Sequence, residues 1–379
     1  MPTMKKAIVF YPEELLQAME PGPLYGRYFE ESGIFNVVTS AVAASDPTVY
    51  TQIGTLFPAQ GDVPQDYAKL VGLWRNGGPY FQHRGEPYET RYYSLHNDLF
   101  SRNTGILESR ILLEKHAVIL GCGSVGSLVA LALARSGVGR FTLIDNDIFE
   151  YHNIARHQCS IRDVGAYKVH ALAGRIREIN PGAQIAVYAD IIESLPKEAF
   201  DQVSADDTIL IGCADNHLAD VYANSIAALY KAPFLAIGCW HRAFAGAVFY
   251  WLPGMPCYYC ALGDGGGLGA LDARSDVSRR FYMDEEEAGV AALQFEPGLS
   301  VDIDFVTMVG IKLTLDLLCR DMDSYTPRLL GHLRQYTLIC NTNRKELGGD
   351  MAEIFSYPLQ VTTSLKTSFR SPCPPCKYE

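Results

Sequence analysis

Residues 117–145 read AVILGCGSVGSLVALALARSGVGRFTLID. Residues 117–120 are a continuous apolar run, the mark of a strand buried on both faces. Residues 121–126 form a glycine-rich turn, and residues 127–136 read as a helix that Gly137 and Gly139 stop. Residues 141–145 are a second strand. A strand, helix and strand of this kind demand a parallel pair with a right-handed crossover. The alternation continues downstream. A helix over about 166–178 ends at Asn180-Pro181-Gly182, strands follow at 185–188, 208–212, 233–237 and 246–251, and a helix at 216–230 separates two of them. Residues 303–318 read as an apolar helix and 333–340 as a strand. The expected fold class is α/β, a Rossmann-like doubly wound, mostly parallel sheet.

Residues 1–100 differ, being rich in Tyr, Phe, Pro and Gly. Residues 6–11 read as a short strand. Asp46-Pro47 is a helix-start signal leading into 48–56, and Pro64-Gln65-Asp66 starts a second helix to about residue 74. Residues 79–83 and 88–93 read as two strands around Arg84-Gly85-Glu86. This order is compatible with a small winged-helix-like module, the alternative being an irregular extension packed on the main domain. The expected domains are 1–100 and 101–379. Residues 263–297 break the pattern with GDGGGLG, with Arg274, Arg279 and Arg280, and with an acidic run at 284–287, and read as a long mobile loop.

The composition excludes several classes. With 48% hydrophobic residues among 379, the chain has ample material for a core and is neither disordered nor a coiled coil. Its 32 basic and 43 acidic residues leave a net charge of −11, which suits neither nucleic acid nor an anionic membrane surface. No apolar run reaches the roughly 18 residues of a membrane helix. The opening MPTMKKAIVFYPEE has no small-residue cleavage site, so a cytoplasmic protein is expected. Ten cysteines in that compartment point away from a disulfide framework.

The turn at 121–126 places Gly121, Gly123 and Gly126 in G-x-G-x-x-G spacing. Such a turn lets backbone approach a phosphate, and the helix behind it presents unpaired N–H groups and its positive dipole end. Asp145 ends the next strand, where a carboxylate accepts hydrogen bonds from ribose hydroxyls. On these features alone a dinucleotide is the first reading. The residues just downstream argue for a triphosphate instead. Asp147 adds a second acid, and Asn153, Arg156 and Lys168 come after it. Arg and Lys hold phosphate charge, and a further acid holds Mg²⁺. Asp215, in GCADN after strand 208–212, lies at the carboxyl end of a parallel strand; it reads as a ligand-site acid, as a helix N-cap, or as both.

The run GCGSVGS…LIDNDIFEYHNIARH…DVGAYK…ADN resembles the E1-like adenylating enzymes of the ThiF/MoeB type, over about residues 110–379. That group includes the molybdopterin and thiamine sulfur-carrier activators and the ubiquitin activators. The resemblance implies an E1-like homodimer that uses MgATP to turn a carboxylate into an acyl-adenylate, releasing pyrophosphate. It implies that Asp145 holds the ribose and that Asn153 and Lys168 contact phosphates. It further implies that Arg156 stabilises charge at the α/β-phosphates and that Asp215 holds Mg²⁺. One departure is visible: the family usually has Gln directly after the Arg, and here His157 precedes Gln158.

Two C-x-x-C pairs, Cys257/Cys260 and Cys373/Cys376, each follow a proline. A redox pair is one reading, but neither sits in a thioredoxin-like context. With the resemblance, the four thiolates read as a closed structural Zn²⁺ site stapling the C-terminal tail to the sheet. No Cys lies between Cys260 and Cys319, and Cys319 ends an apolar helix run, which disfavours a thioester step. The N-terminal module is similar to the leader-peptide clamp of the members that modify ribosomal peptides, such as the microcin C adenylating enzyme and the enzyme of pantocin A biosynthesis. In such clamps a leader adds a strand to a sheet edge. The expected activity is ATP-dependent adenylation of a precursor-peptide carboxylate in peptide-antibiotic maturation. A Glu side chain activated for cyclisation with loss of water, as in the pantocin pathway, is the preferred form. The alternatives are a terminal carboxylate, as for microcin, or the C-terminus of a ubiquitin-like or sulfur-carrier protein.

Overall fold

The computed structural model describes residues 7–16, 20–75, 77–95, 98–107, 109–263, 297–365 and 367–373. Cys376, Arg274, Arg279, Arg280 and the acidic run at 284–287 lie outside the described residues. The chain divides into two compact units, Met1–Arg102 and Asn103–Glu379.

The first unit is built from seven strands. They are β1 (Ile8–Pro12), β2 (Gly22–Phe29), β3 (Ile34–Val38), β4 (Thr51–Phe57), β5 (Leu70–Arg75), β6 (Gly78–His83) and β7 (Glu86–Tyr93). They close into a barrel in the order β1-β3-β2-β4-β5-β6-β7. Val9, Tyr11, Phe35, Val37, Leu70 and Phe81 fill its interior, alternating with outward residues as the strand period requires. Among the described residues of this unit the single α-helix is α1 (Ser40–Ser45).

The winged-helix-like expectation is therefore corrected. The two helices expected at 48–56 and 64–74 are largely the strands β4 and β5. Asp46 does cap, but it caps a turn: its Oδ1 accepts from the N–H groups of Thr48 (3.1 Å) and Val49 (3.2 Å) and from the Thr48 hydroxyl (2.6 Å). Such local side-chain bonds compete with helix. Likewise Pro64 starts a turn, with the Tyr67 N–H donating to its carbonyl at 3.1 Å. Strand pairing then decides: Gly54 lies so close to Leu70 that a Cβ would run into the Leu70 carbonyl oxygen. Closure also removes the continuous sheet edge that strand addition needs. The ladder opens locally, because β6 pairs with β7 only over 81–83. Residues 78–80 of β6 and 90–92 of β7 instead flank a cleft, where the Arg75 guanidinium lies 4.6 Å from the centre of the Tyr80 ring.

The second unit is the expected α/β sheet. Its strands are β8 (His116–Leu120), β9 (Arg140–Ile144), β10 (Gln184–Tyr188), β11 (Thr208–Gly212), β12 (Phe234–Cys239), β13 (Ala245–Trp251), β14 (Tyr336–Cys340) and β15 (Gln360–Leu365). The order is β10-β9-β8-β11-β12-β13-β14-β15. The first five strands run parallel; β13, β14 and β15 each pair antiparallel with their neighbours. Among the described residues of this unit the α-helices are α2 (Ser109–Leu112), α3 (Ser124–Ser136), α4 (Lys168–Ile179), α5 (His217–Tyr230), α6 (Tyr258–Leu262), α7 (Ser300–Leu318) and α8 (Lys345–Gly348).

Alternation along each buried strand sorts the core into two layers. Ala117, Ile119, Leu143 and Ile211 pack with α3, α4 and α7 on one face. Val118, Leu120, Ile144 and Leu210 pack with α5 and α6 on the other. Each of the Val, Leu and Ile side chains here, fully buried, contributes about 1.5–3 kcal/mol relative to exposure. Among the described residues no helix is long and apolar enough to cross a membrane.

Candidate nucleotide site and cysteine cluster

The strand order reverses between β8 and β11, which is where open α/β sheets bind ligands beyond their carboxyl ends. A cavity of about 410 Å³ occupies that crevice. Gly121, Gly123, Asp145, Asp147, Arg156, Lys168 and Asp215 all line it.

The three glycines have different reasons. Gly121 has φ +87°, and a Cβ there would stand 2.6 Å from the Ala214 nitrogen. At Gly126 a Cβ would run into the Gly121 carbonyl oxygen, so α3 can approach the turn only without one. At Gly123, by contrast, a Cβ would meet no protein atom within 4 Å. That open position is the N-cap of α3, and no side chain caps the helix there. The positive end of α3 is thus presented to the cavity.

Asp145 shapes the turn as well as the cavity. Its Oδ2 accepts from the Cys122 N–H at 2.6 Å and its Oδ1 from the Asp147 N–H at 2.8 Å. Burial pushes its carboxyl above its ordinary value, opposed chiefly by the Asp147 N–H. Lys168 donates to Asp147 Oδ2 at 2.7 Å, and its backbone N–H donates to the Asp147 carbonyl at 2.9 Å. The backbone pairing of Ile148 with Tyr167 closes the loop between them, so residues far apart in sequence meet at the cavity mouth. Asn216, not Asp215, caps α5: its Oδ1 accepts from the N–H groups of Leu218 (2.9 Å) and Ala219 (3.4 Å). Asp215, one residue earlier, lines the cavity. Asn153 does not line it; its Oδ1 accepts from the Glu150 N–H at 2.8 Å.

A second cluster forms where α6 begins. Cys257 Sγ lies 3.7 Å from Cys260 Sγ and 3.4 Å from Cys373 Sγ. Tetrahedral Zn²⁺ with Zn–S of about 2.3 Å separates its sulfurs by about 3.8 Å. The three positions therefore fit such an ion. The Arg370 N–H donates to Cys260 Sγ at 3.4 Å. Tyr258, between the cysteines, ties the knuckle to α5: its N–H donates to Asn224 Oδ1 at 2.7 Å and its hydroxyl to Asp220 Oδ2 at 3.1 Å.

Residues 98–293, more than half of the sequence, match the ThiF family. The chain belongs to the ThiF family. Among curated ThiF-family relatives, the adenylyltransferase and sulfurtransferase MOCS3 of Sus scrofa is 30% identical over 174 residues, covering 42% of this chain and 37% of that protein. The sulfur carrier protein ThiS adenylyltransferase of Bacillus subtilis is 30% identical over 155 residues, covering 40% of this chain and 45% of that protein. The chain thus spans less than half the length of these relatives. Escherichia coli MccB, solved with AMPCPP and MccA, shares the fold at a TM-score of 0.51 with 19% identity, covering 74% of each chain.

The resemblance carried by the motifs is thereby shown at the level of family and fold. Sequence reasoning missed part of the ThiF-family cavity wall: Asp190 and Glu193 after β10, and Gly238 and Trp240 around the end of β12. The available signal was positional, since both segments follow or end parallel strands on the carboxyl side of the sheet.

Proposed function

We propose that this ThiF-family chain adenylates a carboxylate of a ribosomally made precursor peptide with MgATP. The observation that carries the reading is one cavity at the switch point lined by the α3 N-terminus, Arg156, Lys168, Asp147 and Asp215. A dinucleotide site does not require that second set of charges. The carboxylate oxygen attacks the α-phosphorus, the bond from it to the bridging oxygen breaks, and pyrophosphate leaves. The α3 N-terminus stabilises charge at the α-phosphate. Asp145 orients the ribose, and Lys168, held by Asp147, and Arg156 draw charge from the leaving phosphates. Asp215 would hold Mg²⁺, which would supply neutralisation of phosphate charge. Asn153 needs a local rearrangement to reach a phosphate.

In this reading Cys257, Cys260 and Cys373, joined by Cys376, hold a structural Zn²⁺. Cys319 is fully buried and burial pushes its thiol up to about 11, which supports adenylation without a thioester on it. The first unit would hold the leader, with the cleft between β6 and β7 as its local opening. MccB, solved with MccA, shares the fold. The finer form is activation of a Glu side chain and cyclisation with loss of water, in a homodimeric protein. The names of MOCS3 and the ThiS adenylyltransferase favour a second reading, in which the carboxylate is a sulfur-carrier C-terminus.

The test is pyrophosphate release with MgATP, read beside mass spectrometry of the offered substrate. Leader-dependent release with loss of water supports the peptide form, and a retained adenylate mass the microcin-like form. Release only with a Gly-Gly-tailed carrier protein overturns the peptide reading. Asp215→Ala is expected to abolish release while the protein stays folded, since the α5 cap is Asn216. Release retained in that variant removes Asp215 from the metal site.

A further inference from the structure

His157 stands where the family motif has Gln, and nothing in the proposed reaction uses it. It is buried, packed edge-to-face on Phe149 with ring centres 4.8 Å apart. Its Nδ1 faces the Cys159 N–H at 3.0 Å, and that backbone group can only donate. Nδ1 therefore carries no proton. The neutral ring carries its proton on Nε2, which donates to the Cys122 carbonyl oxygen at 2.7 Å. Burial supports the neutral form by holding the imidazole down to about 4, opposed chiefly by the hydrogen bond to the Cys122 carbonyl and less by Asp163, with the Lys168 charge adding to the effect of burial.

The Cys122 carbonyl belongs to the peptide that leads into Gly123. In a trans peptide the carbonyl and the next N–H point in opposite directions. Asp145 grips the preceding N–H of Cys122, and His157 grips its carbonyl. The Gly123 N–H is consequently aimed away from His157, and Gly123 itself lines the cavity.

We infer that His157 is a positioning residue that sets the Cys122–Gly123 peptide plane, turning the Gly123 N–H toward a bound α-phosphate. This deepens the adenylation reading and rests on it. The alternative plane is accessible because Gly123 has no Cβ to oppose it. A flipped peptide would point the Cys122 carbonyl oxygen at the phosphate, replacing a donor with a like-charged dipole. Gln reproduces both bonds, having one amide N–H to give and one oxygen to accept. The exchange of Gln for His is thus a replacement of the donor and acceptor pair rather than a loss of it.

The test compares His157→Gln and His157→Leu with the parent protein in calorimetric titrations with MgATP, beside steady-state pyrophosphate release. Expected is about a tenfold weaker ATP affinity and a raised KM for ATP in the Leu variant, from one lost hydrogen bond and one misdirected dipole. The Gln variant stays within about threefold. Nitrogen-15 spectra of the labelled histidines, assigned by the signal missing in His157→Gln, should show a neutral ring protonated on Nε2 at pH 7. A Leu variant that binds ATP like the parent overturns the assignment, and so does a ring protonated on Nδ1. If the Leu variant does not fold, His157→Asn, too short to reach the carbonyl, takes its place in the comparison. If the parent binds no ATP while its ring shows the Nε2 proton, the adenylation reading fails and the nucleotide role of His157 falls with it, although the hydrogen bond stands.

Discussion

At the scale of the residue, three glycines of one motif make the sharpest comparison. Gly121→Ala and Gly126→Ala are each expected to cost about 1–3 kcal/mol, from backbone strain at the first and collision with the Gly121 carbonyl at the second. Gly123→Ala is expected to fold nearly as well as the parent, at φ −77° and with room for a methyl group, yet to lose ATP affinity because the methyl occupies the phosphate's place. Thermal melts and ATP titrations on the three variants separate the two effects. A second residue-scale consequence concerns acid. Burial holds His116 and His157 at about 4, against about 6.5 in an unfolded chain. Between those values the unfolded chain binds the extra protons, so this stability is complete above about pH 6.5 and lost as pH falls toward 4. Urea melts should show a loss of about 2 kcal/mol per histidine between pH 7 and pH 5, and His157→Gln should remove one share of it. An unchanged slope in that variant would place the titration elsewhere.

At the scale of the element, the cysteine knuckle is a tether. It brings the start of α6 within 3.4 Å, sulfur to sulfur, of Cys373 and ties it to α5 through Tyr258. A metal there adds its binding free energy to folding. Chelation is therefore expected to lower the melting temperature together with the zinc content, and Cys373→Ala to do the same. A zinc-free protein that melts with the parent would contradict the structural role. Elements also show where local reading fails. The β8–α3–β9 unit was legible because its apolar period, its glycines and its two stops all agree. The helix-start signals at Asp46 and Pro64 were genuine but served turns, since a cap says where the backbone turns and not which element the turn leads into. Strands β4 and β5 took those places because they pair with each other and with their other neighbours, contacts between segments that no local window contains.

At the scale of the whole molecule, the chain is two units, and the proposed work divides between them. A chain lacking residues 1–102 is expected to keep ATP binding, since the cavity-lining residues among those described lie between 120 and 303, while losing leader-dependent turnover of the peptide. ATP titration and peptide turnover measured on that shortened chain check both halves; equal turnover with and without the leader would detach the first unit from substrate binding. The sequence by itself determined the α/β class, the glycine-rich turn and the acids and cations around it, because parallel strands buried on both faces must be apolar throughout and a phosphate site must be small and charged. It also marked Asp215, although Asn216 took the capping role proposed for it. Only the tertiary structure decided the barrel, the antiparallel half of the sheet, the withdrawal of Asn153 from the cavity and the grip of His157 on the turn. The barrel, the antiparallel half of the sheet and the His157 contact depend on partners far apart in the chain, and the placing of Asn153 on one short side-chain bond to the Glu150 N–H, none of which leaves a period or a spacing to read.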